Sequence, residues 1–498
     1  MFFCASSIVI FGGTGDLATR KLIPALCRLE SAGQLIKAFH IFVSGRSALD
    51  NSEFLERFAR NSETAMTKDE AFAKGFASLK DRIIYVKADP EEDNAPENFF
   101  TRLNEVETEA APARLFYLAV PPDSMASFIK LIKPFSEKNA DSGCPARILV
   151  EKPFGHDLES SIALNGQMLK NFREDQILRI DHYLGKEAVQ NLLYMRFANI
   201  FFEPLWNNKF IDNVQISFSE NIGIGTRAGY FDQTGILRDV VQNHLLQVLC
   251  MVAMEPPISS RPGDLHLEKN KVLKALRRYT PEQVAAETVR AQYTAHNGLL
   301  GYLEEKGVKP DSNTETFAAC RVFIDNWRWS GVPFYLQAGK RLESSYTEIC
   351  ISFRPIPHSI FKDLKQSIPA NRLFIRIQPD EGITIKLNSK PPGMKMQLSD
   401  VNFKFSYETE FGSYRPDAYE RLLLDALRAD SSLFLSNAEI EESWKFIDPI
   451  SQGWQSPSAQ PMFFYPAGSN GPKEACKLLK LHGHSWQSIK PGGCIDEN

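Results

Sequence analysis

Apolar residues follow two rhythms along this chain. In the first two hundred positions, short unbroken apolar runs alternate with stretches where hydrophobic residues recur every three or four places. Ser7-Ile8-Val9-Ile10-Phe11 is the first such run, and a run this short, closed by glycines, reads as a strand buried on both faces. Leu17, Leu22, Ile23, Leu26 and Leu29 follow at helical spacing, with Gly33 placed to stop the helix. Further strands are predicted over 40–43, 82–87, 114–120, 147–150 and 177–180, with helices over 52–76 and 96–107. Strands alternating with helices predict an α/β unit built on a doubly wound parallel sheet.

After residue 199 the pattern changes. Residues 213–220 alternate as a strand and 234–254 read as one long helix, while 317–324, 348–353 and 373–377 are strand-like without regular helices between them. That predicts a larger α+β domain with a mostly antiparallel sheet. The expected division is therefore 1–198 and 199–498. A chain of 498 residues exceeds one ordinary core, which supports two domains. The tail from Ser456 is rich in Pro, Gly and Ser, so loose packing is expected there. No internal repeat or low-complexity segment is present.

Composition narrows the function. The hydrophobic fraction of 43% and charged fraction of 24% suit a soluble globular protein. A net charge of −4 favours neither nucleic acid nor a membrane surface as partner. An anionic ligand must then be held by local basic groups. The eight cysteines include no C-x-x-C pair, so neither a metal site nor a disulfide framework is expected, and reduced thiols in the cytoplasm are the simplest account. Met1 to Phe11 lacks a basic leader region and a cleavage-like site, and no apolar run approaches the length of a bilayer span.

Three segments carry chemistry. The first is Gly12-Gly13-Thr14-Gly15-Asp16-Leu17-Ala18, between a strand and a helix. Glycines there let the backbone approach a pyrophosphate, and the helix start offers free N–H groups. The spacing departs from G-x-G-x-x-G, and a ligand-free tight turn is the alternative. At the second strand, Ser44-Gly45-Arg46-Ser47 offers no acid before Asp50. An arginine there suits the 2′-phosphate of NADP better than the free ribose of NAD, and Lys21 adds charge nearby. The second segment, Arg179 to Glu187, packs Asp181, His182 and Lys186 into six positions. If it turns helical from His182, then His182 and Lys186 share a face and can grip a dianion, leaving Asp181 to orient another group. The alternative is a solvated, charged helix start. The third runs from Tyr230 to His244. A neutral imidazole can take the proton of an alcohol undergoing hydride transfer, with a carboxylate to hold its tautomer. Taken alone, a histidine in an apolar helix is more often a core residue.

Together, Gly12 to Ala18, Glu151-Lys152-Pro153-Phe154-Gly155, Arg179 to Glu187, Gly229 to His244, and Gly331-Val332-Pro333-Phe334 to Gly339-Lys340 resemble the glucose-6-phosphate dehydrogenase family along nearly the whole chain. The resemblance implies a Rossmann-like N-terminal domain that binds NADP, with NAD as a secondary acceptor, and a substrate-binding and dimerisation domain. It implies His244 as general base, with Asp181 as its carboxylate partner across the domain boundary. His182 and Lys186 would bind the substrate phosphate. Glu220, Asp239, Lys340 and Lys152 would bind the sugar, with Lys152 also at the cofactor. Gly12, Gly13, Thr14, Gly15, Asp16, Leu17, Lys21 and Arg46 would bind the cofactor. A homodimer or homotetramer is implied.

One position departs from the family's pattern. Many members carry a basic residue five places after the lysine matched by Lys340, where this chain has Ser345; Arg341 leaves the strand on the opposite face. No second, structural NADP site is expected around Glu343 to Tyr346. Two rival readings are a sugar dehydrogenase of the glucose–fructose oxidoreductase type, which leaves His182, Lys186 and Lys340 idle, and a non-catalytic NADP-sensing protein, which has no need of both His244 and Asp181.

Overall fold

β1 (Ser7–Phe11) is buried at every position because it lies mid-sheet, paired on both edges. The computed structural model describes residues 5–92, 94–107, 113–138, 145–361, 367–394, 396–412, 416–457 and 459–489. Five further strands follow in the first part of the chain: β2 (His40–Gly45), β3 (Ile83–Lys87), β4 (Arg114–Leu118), β5 (Arg147–Val150) and β6 (Ile177–Ile180). They form a parallel sheet in the order β6-β5-β4-β1-β2-β3. A two-residue strand, Phe434–Leu435, pairs antiparallel with β6 at the edge. The predicted doubly wound parallel sheet is present.

The helix expected over 52–76 is two helices, Asn51–Lys68 and Glu70–Leu79. Asp69 separates them. Its backbone is extended, and its carboxylate accepts the Phe72 N–H at 2.9 Å. An aspartate that caps a new helix in this way ends the old one.

The described residues group into two units. The first takes Met1–Gly185, Ile258–His266 and Pro416–Ile440; the second takes Lys186–Pro257, Leu267–Arg415 and Glu441–Asn498. The chain thus passes between units at Gly185 and returns twice, where the sequence pattern suggested one division after residue 198.

The second unit is built on β7 (Ile211–Ser219), β8 (Thr288–Thr294), β9 (Phe317–Val322), β10 (Phe334–Gly339), β11 (Tyr346–Phe353), β12 (Arg372–Gln378), β13 (Gly382–Ser389) and β14 (Ser399–Ser406). Their order is β14-β13-β12-β11-β7-β10-β9-β8, closed by the short strand Phe463–Pro466. The sheet is mostly antiparallel, as predicted, but β7 and β10 run parallel side by side, as do β8 and Phe463–Pro466.

Two further expectations are corrected. The tail is not loosely packed as far as it is described: Lys473–Lys480 is a helix with Leu478 and Leu479 buried, and Trp486 is buried behind it. Its Pro and Gly residues mark turns between elements that bury their own apolar side chains. Cys27, Cys250, Cys320 and Cys350 are free and buried, whereas Cys476 is disulfide-bonded. Pairing depends on which thiols the fold brings together, which sequence spacing does not reveal. No helix among the described residues is long and apolar enough to cross a membrane.

Candidate active site

In the first unit the site begins where β1 ends. Gly12 has φ +75°, and a Cβ on it would lie 2.2 Å from the Ala119 carbonyl oxygen. Both the dihedral and the space therefore require glycine. The Gly13 N–H donates to the Ser44 carbonyl at 2.8 Å, and the Gly15 N–H to the Gly12 carbonyl at 2.9 Å. The turn leads into one π-helical turn, Ala18–Leu22, and then the α-helix Ile23–Ser31.

Beside this turn lies a cleft of about 350 Å³ whose lining includes Gly12, Thr14, Gly15, Gly45, Arg46 and Val120. These residues lie at or just beyond the carboxyl ends of β1, β2 and β4, where the strand order reverses. Open α/β sheets bind nucleotides at that point. Glycine at position 12 lets the backbone pack against the Ala119 carbonyl, where any Cβ would collide, and so leaves a backbone-lined turn that fits a dinucleotide. Arg46 is exposed at the rim. Lys21 is not part of the lining; its ammonium bonds the Asp417 carboxylate at 2.9 Å. Asp16 is exposed and lies 3.4 Å from Arg20, and Leu17 is half-buried at the helix start.

At the end of β5, the Glu151 carboxyl accepts hydrogen bonds from the hydroxyls of Tyr117 at 2.5 Å and Tyr419 at 3.1 Å. Burial raises its pKa, against the pull of those two hydroxyls and of Lys152. Asp181 starts where β6 stops and is 2% exposed. Its carboxylate accepts the Tyr183 N–H at 2.9 Å, and its carbonyl accepts the Leu184 N–H at 3.0 Å. An aspartate that caps its own downstream N–H groups favours a turn over a helix. Residues 182–185 are accordingly turns, and the helix Glu187–Phe197 begins only after Lys186, its N-cap. The shared helical face expected for His182 and Lys186 does not form. The His182 ring instead lies parallel to Tyr419, centroids 6.4 Å apart, and edge-on to Tyr183 at 5.2 Å.

Tyr419 and Tyr117 escaped the sequence reading. Tyr419 orders both Glu151 and His182 from a helix 268 residues beyond Glu151, and no local pattern marks it.

In the second unit, the Lys340 ammonium donates to the Glu220 carboxylate at 2.6 Å and lies 5.2 Å from the Phe231 ring centre. Parallel pairing brings them together, because Gly339 is in register with Ser219 and each charged residue is the next one along. The Tyr465 hydroxyl donates to the Lys340 carbonyl at 2.6 Å and fixes its backbone. Arg341 turns away with φ +52° and lies 3.3 Å from the Glu305 carboxylate. Ser345 accepts the Asn221 N–H at 2.9 Å and donates to its side-chain oxygen at 2.7 Å. The position without a basic residue thus ties down the loop after Glu220.

Asp239 and His244 lie on a π-helical stretch, Leu237–Leu245, between the α-helices Ala228–Ile236 and Leu246–Ala253. In an α-helix, positions five apart lie about 140° apart around the axis. Bonding from i to i+5, as in the Leu246 N–H to Val241 carbonyl bond, brings such positions toward one side. Both residues are buried, at 5% and 3% exposure. The Tyr230 hydroxyl reaches Asp239 at 3.4 Å, and Arg227 lies 3.9 Å from it. Lys186, at the start of this unit, donates to the Gln378 side-chain oxygen at 2.5 Å.

A glycine-turn cleft at the switch point of a parallel sheet, and a separate unit carrying a histidine, two carboxylates and a lysine, define a dinucleotide-dependent oxidoreductase. Comparison with known proteins narrows the class. Residues 9–191 match the family model "Glucose-6-phosphate dehydrogenase, NAD binding domain", and residues 193–487 match "Glucose-6-phosphate dehydrogenase, C-terminal domain". The chain belongs to the glucose-6-phosphate dehydrogenase family. It is 44% identical over 489 residues to glucose-6-phosphate 1-dehydrogenase of Rhizobium meliloti, covering 96% of each chain. It is 42% identical over 487 residues to that of Treponema pallidum, covering 96% of this chain and 94% of the relative. A solved glucose-6-phosphate dehydrogenase in complex with its substrate glucose 6-phosphate superimposes with a TM-score of 0.88 at 36% identity, covering 98% of this chain and 100% of the other.

Proposed function

We propose that this chain oxidises D-glucose 6-phosphate at C1 to 6-phospho-D-glucono-1,5-lactone with formation of NADPH, the first step of the oxidative pentose phosphate pathway. The observation that carries this reading is the full-length match to a protein whose solved form holds glucose 6-phosphate. NADP supplies a nicotinamide ring that accepts the C1 hydride. The chain's own residues do the rest. His244 takes the proton of the C1 hydroxyl, and Asp181 holds the imidazole in the tautomer that can accept it. Glu220, Asp239 and Lys340 hold the sugar hydroxyls.

His182 and Lys186 hold the phosphate at C6. Aromatic packing against Tyr419 and Tyr183 restricts the His182 ring, so little rotamer freedom remains to be lost on binding. Lys152 sits between cofactor and sugar. Gly12, Gly13, Thr14, Gly15, Asp16 and Leu17 form the pyrophosphate turn, and Arg46 takes the 2′-phosphate, with NAD as a weaker alternative. Lys21, held by its bond to Asp417, adds positive charge for the cofactor.

A homodimer or homotetramer in the cytoplasm completes the reading. The edge strand β14 supports self-association, since it exposes most of its length, including Phe403 at 61%. Steady-state kinetics with glucose and glucose 6-phosphate, each with NADP and NAD, test the substrate assignment. Turnover is expected only with the phosphorylated sugar. Equal turnover of glucose would overturn it.

A further inference from the structure

A second cavity, of about 600 Å³, lies wholly within the second unit. Its walls come from the helix kink at Gly235, from Arg290 on β8, from Asn313, Thr314 and Glu315, and from the end of the helix Asn437–Gln455 with Ser456, Ala459 and Gln460 beyond it. The size is that of a metabolite pocket. Its charge pattern is two arginines against one carboxylate, among hydroxyl and amide side chains.

Arg238 is engaged, with its guanidinium on the Gln233 carbonyl at 3.3 Å and the Ser451 hydroxyl at 3.1 Å. Arg290 is less satisfied. One terminal nitrogen donates to the Gln460 carbonyl at 3.2 Å, and the guanidinium head lines the cavity while its Nε, shielded from solvent, has no acceptor. A guanidinium head at a cavity wall is matched best by a planar or tetrahedral oxyanion. Burial lowers the Arg290 pKa, and Glu315 opposes that shift.

Glu315 connects the cavity to the catalytic stretch. Its side chain accepts the Leu237 N–H at 3.1 Å and its carbonyl accepts the Ile236 N–H at 3.0 Å. Gly235, at φ +70°, leaves room for that carboxylate: a Cβ there would lie 2.2 Å from its oxygen. Glu315 therefore caps the first turn of the π-helical stretch that carries Asp239 and His244. A ligand that draws Arg290 toward itself weakens the charge facing Glu315 and so changes the support of that turn.

We propose that this cavity is a regulatory site for a small metabolite bearing a phosphate or carboxylate group, acting on turnover through Glu315 and the Leu237–Leu245 stretch. Its binding half does not depend on the dehydrogenase reading, because titration measures it without turnover.

The test titrates the full-length protein calorimetrically with pyrophosphate and, separately, citrate, at constant ionic strength. The wild type is compared with Arg290→Gln, which removes the charge, and Asn313→Trp, which blocks the mouth from an exposed loop. Saturable binding of one probe is expected, with the phosphate and carboxylate arms identifying the ligand class. Loss of a charge-assisted bond predicts binding at least about tenfold weaker in Arg290→Gln. Without probe, Asn313→Trp should leave kcat and KM within about twofold of wild type, whereas Arg290→Gln, which removes the charge facing Glu315, should shift them in the direction in which probe shifts the wild type. With probe, wild-type kcat or KM should shift and that of both variants should not. The proposal falls if neither probe saturates, or if both variants bind as the wild type does, which would mark an adventitious anion only. Binding that leaves wild-type kinetics unchanged would overturn the regulatory coupling.

Discussion

Replacing His244 by asparagine separates proton removal from substrate binding. The residue is buried on the π-helical stretch, and its own N–H is bonded to the Asn243 side chain at 2.6 Å. Asparagine keeps a polar group at the level of the imidazole Nδ1 and leaves that backbone bond in place, so the helix should persist. A positioned general base contributes about 10²–10⁴ in rate, or roughly 2.7–5.5 kcal/mol of barrier. Binding loses at most one neutral hydrogen bond, about 0.5–1.5 kcal/mol, which is a factor of roughly 2–13 in affinity. The proposed phosphate ligands His182 and Lys186 and the Lys340–Glu220 pair are untouched. Thus kcat should fall at least about a hundredfold, while KM for glucose 6-phosphate rises no more than about tenfold. Following reduced nicotinamide by absorbance gives both constants, and a thermal melt checks folding. A folded variant with KM raised a hundredfold and kcat within tenfold of wild type would show that His244 binds substrate and is not the base.

Three further outcomes follow from the geometry. Arg46→Ala, at the rim of the nucleotide cleft, should raise KM for NADP at least about tenfold and that for NAD by no more than about twofold, because only NADP carries the 2′-phosphate; equal effects would refute that contact. Gly12→Ala puts a methyl group 2.2 Å from the Ala119 oxygen at φ +75°, so the turn must shift. KM for either dinucleotide should rise and the melting temperature should fall, and an unchanged KM would show that the turn does not touch the cofactor. Asp425 is buried, and burial pushes its pKa up to about 6 despite Arg421 at 2.9 Å. The folded state therefore holds an extra proton between about pH 4 and 6, and the wild type loses about 2–3 kcal/mol as pH rises through that window. Asp425→Asn should gain melting temperature relative to wild type from pH 4 to pH 7. A pH-independent difference would refute the shift.

Much of the fold was legible because its signals are local. Apolar runs at 7–11, 147–150 and 177–180 became strands with those bounds, since a central parallel strand is covered on both faces and needs continuous hydrophobicity. The glycine turn was legible for a similar reason: φ and clearance at Gly12 admit no other residue. Local reading failed where a side chain competes with the helix. Asp69 split one expected helix, and Asp181 replaced another with a turn.

The sequence by itself thus determined the two sheets, the nucleotide turn and the chemical types available for catalysis. Only the tertiary structure decided which of them meet. The Lys340–Glu220 pair exists because β7 and β10 run parallel in one register. Tyr419 reaches Glu151 and His182 because the chain returns to its first unit after residue 415. Lys21 turned to Asp417 for the same reason. Asp239 and His244 turn toward one side because the helix carrying them widens to i, i+5 bonding. Periodicity reports which face of an element is buried; partners hundreds of residues apart, and the winding of a single helix, are set by packing against neighbours that no local window contains.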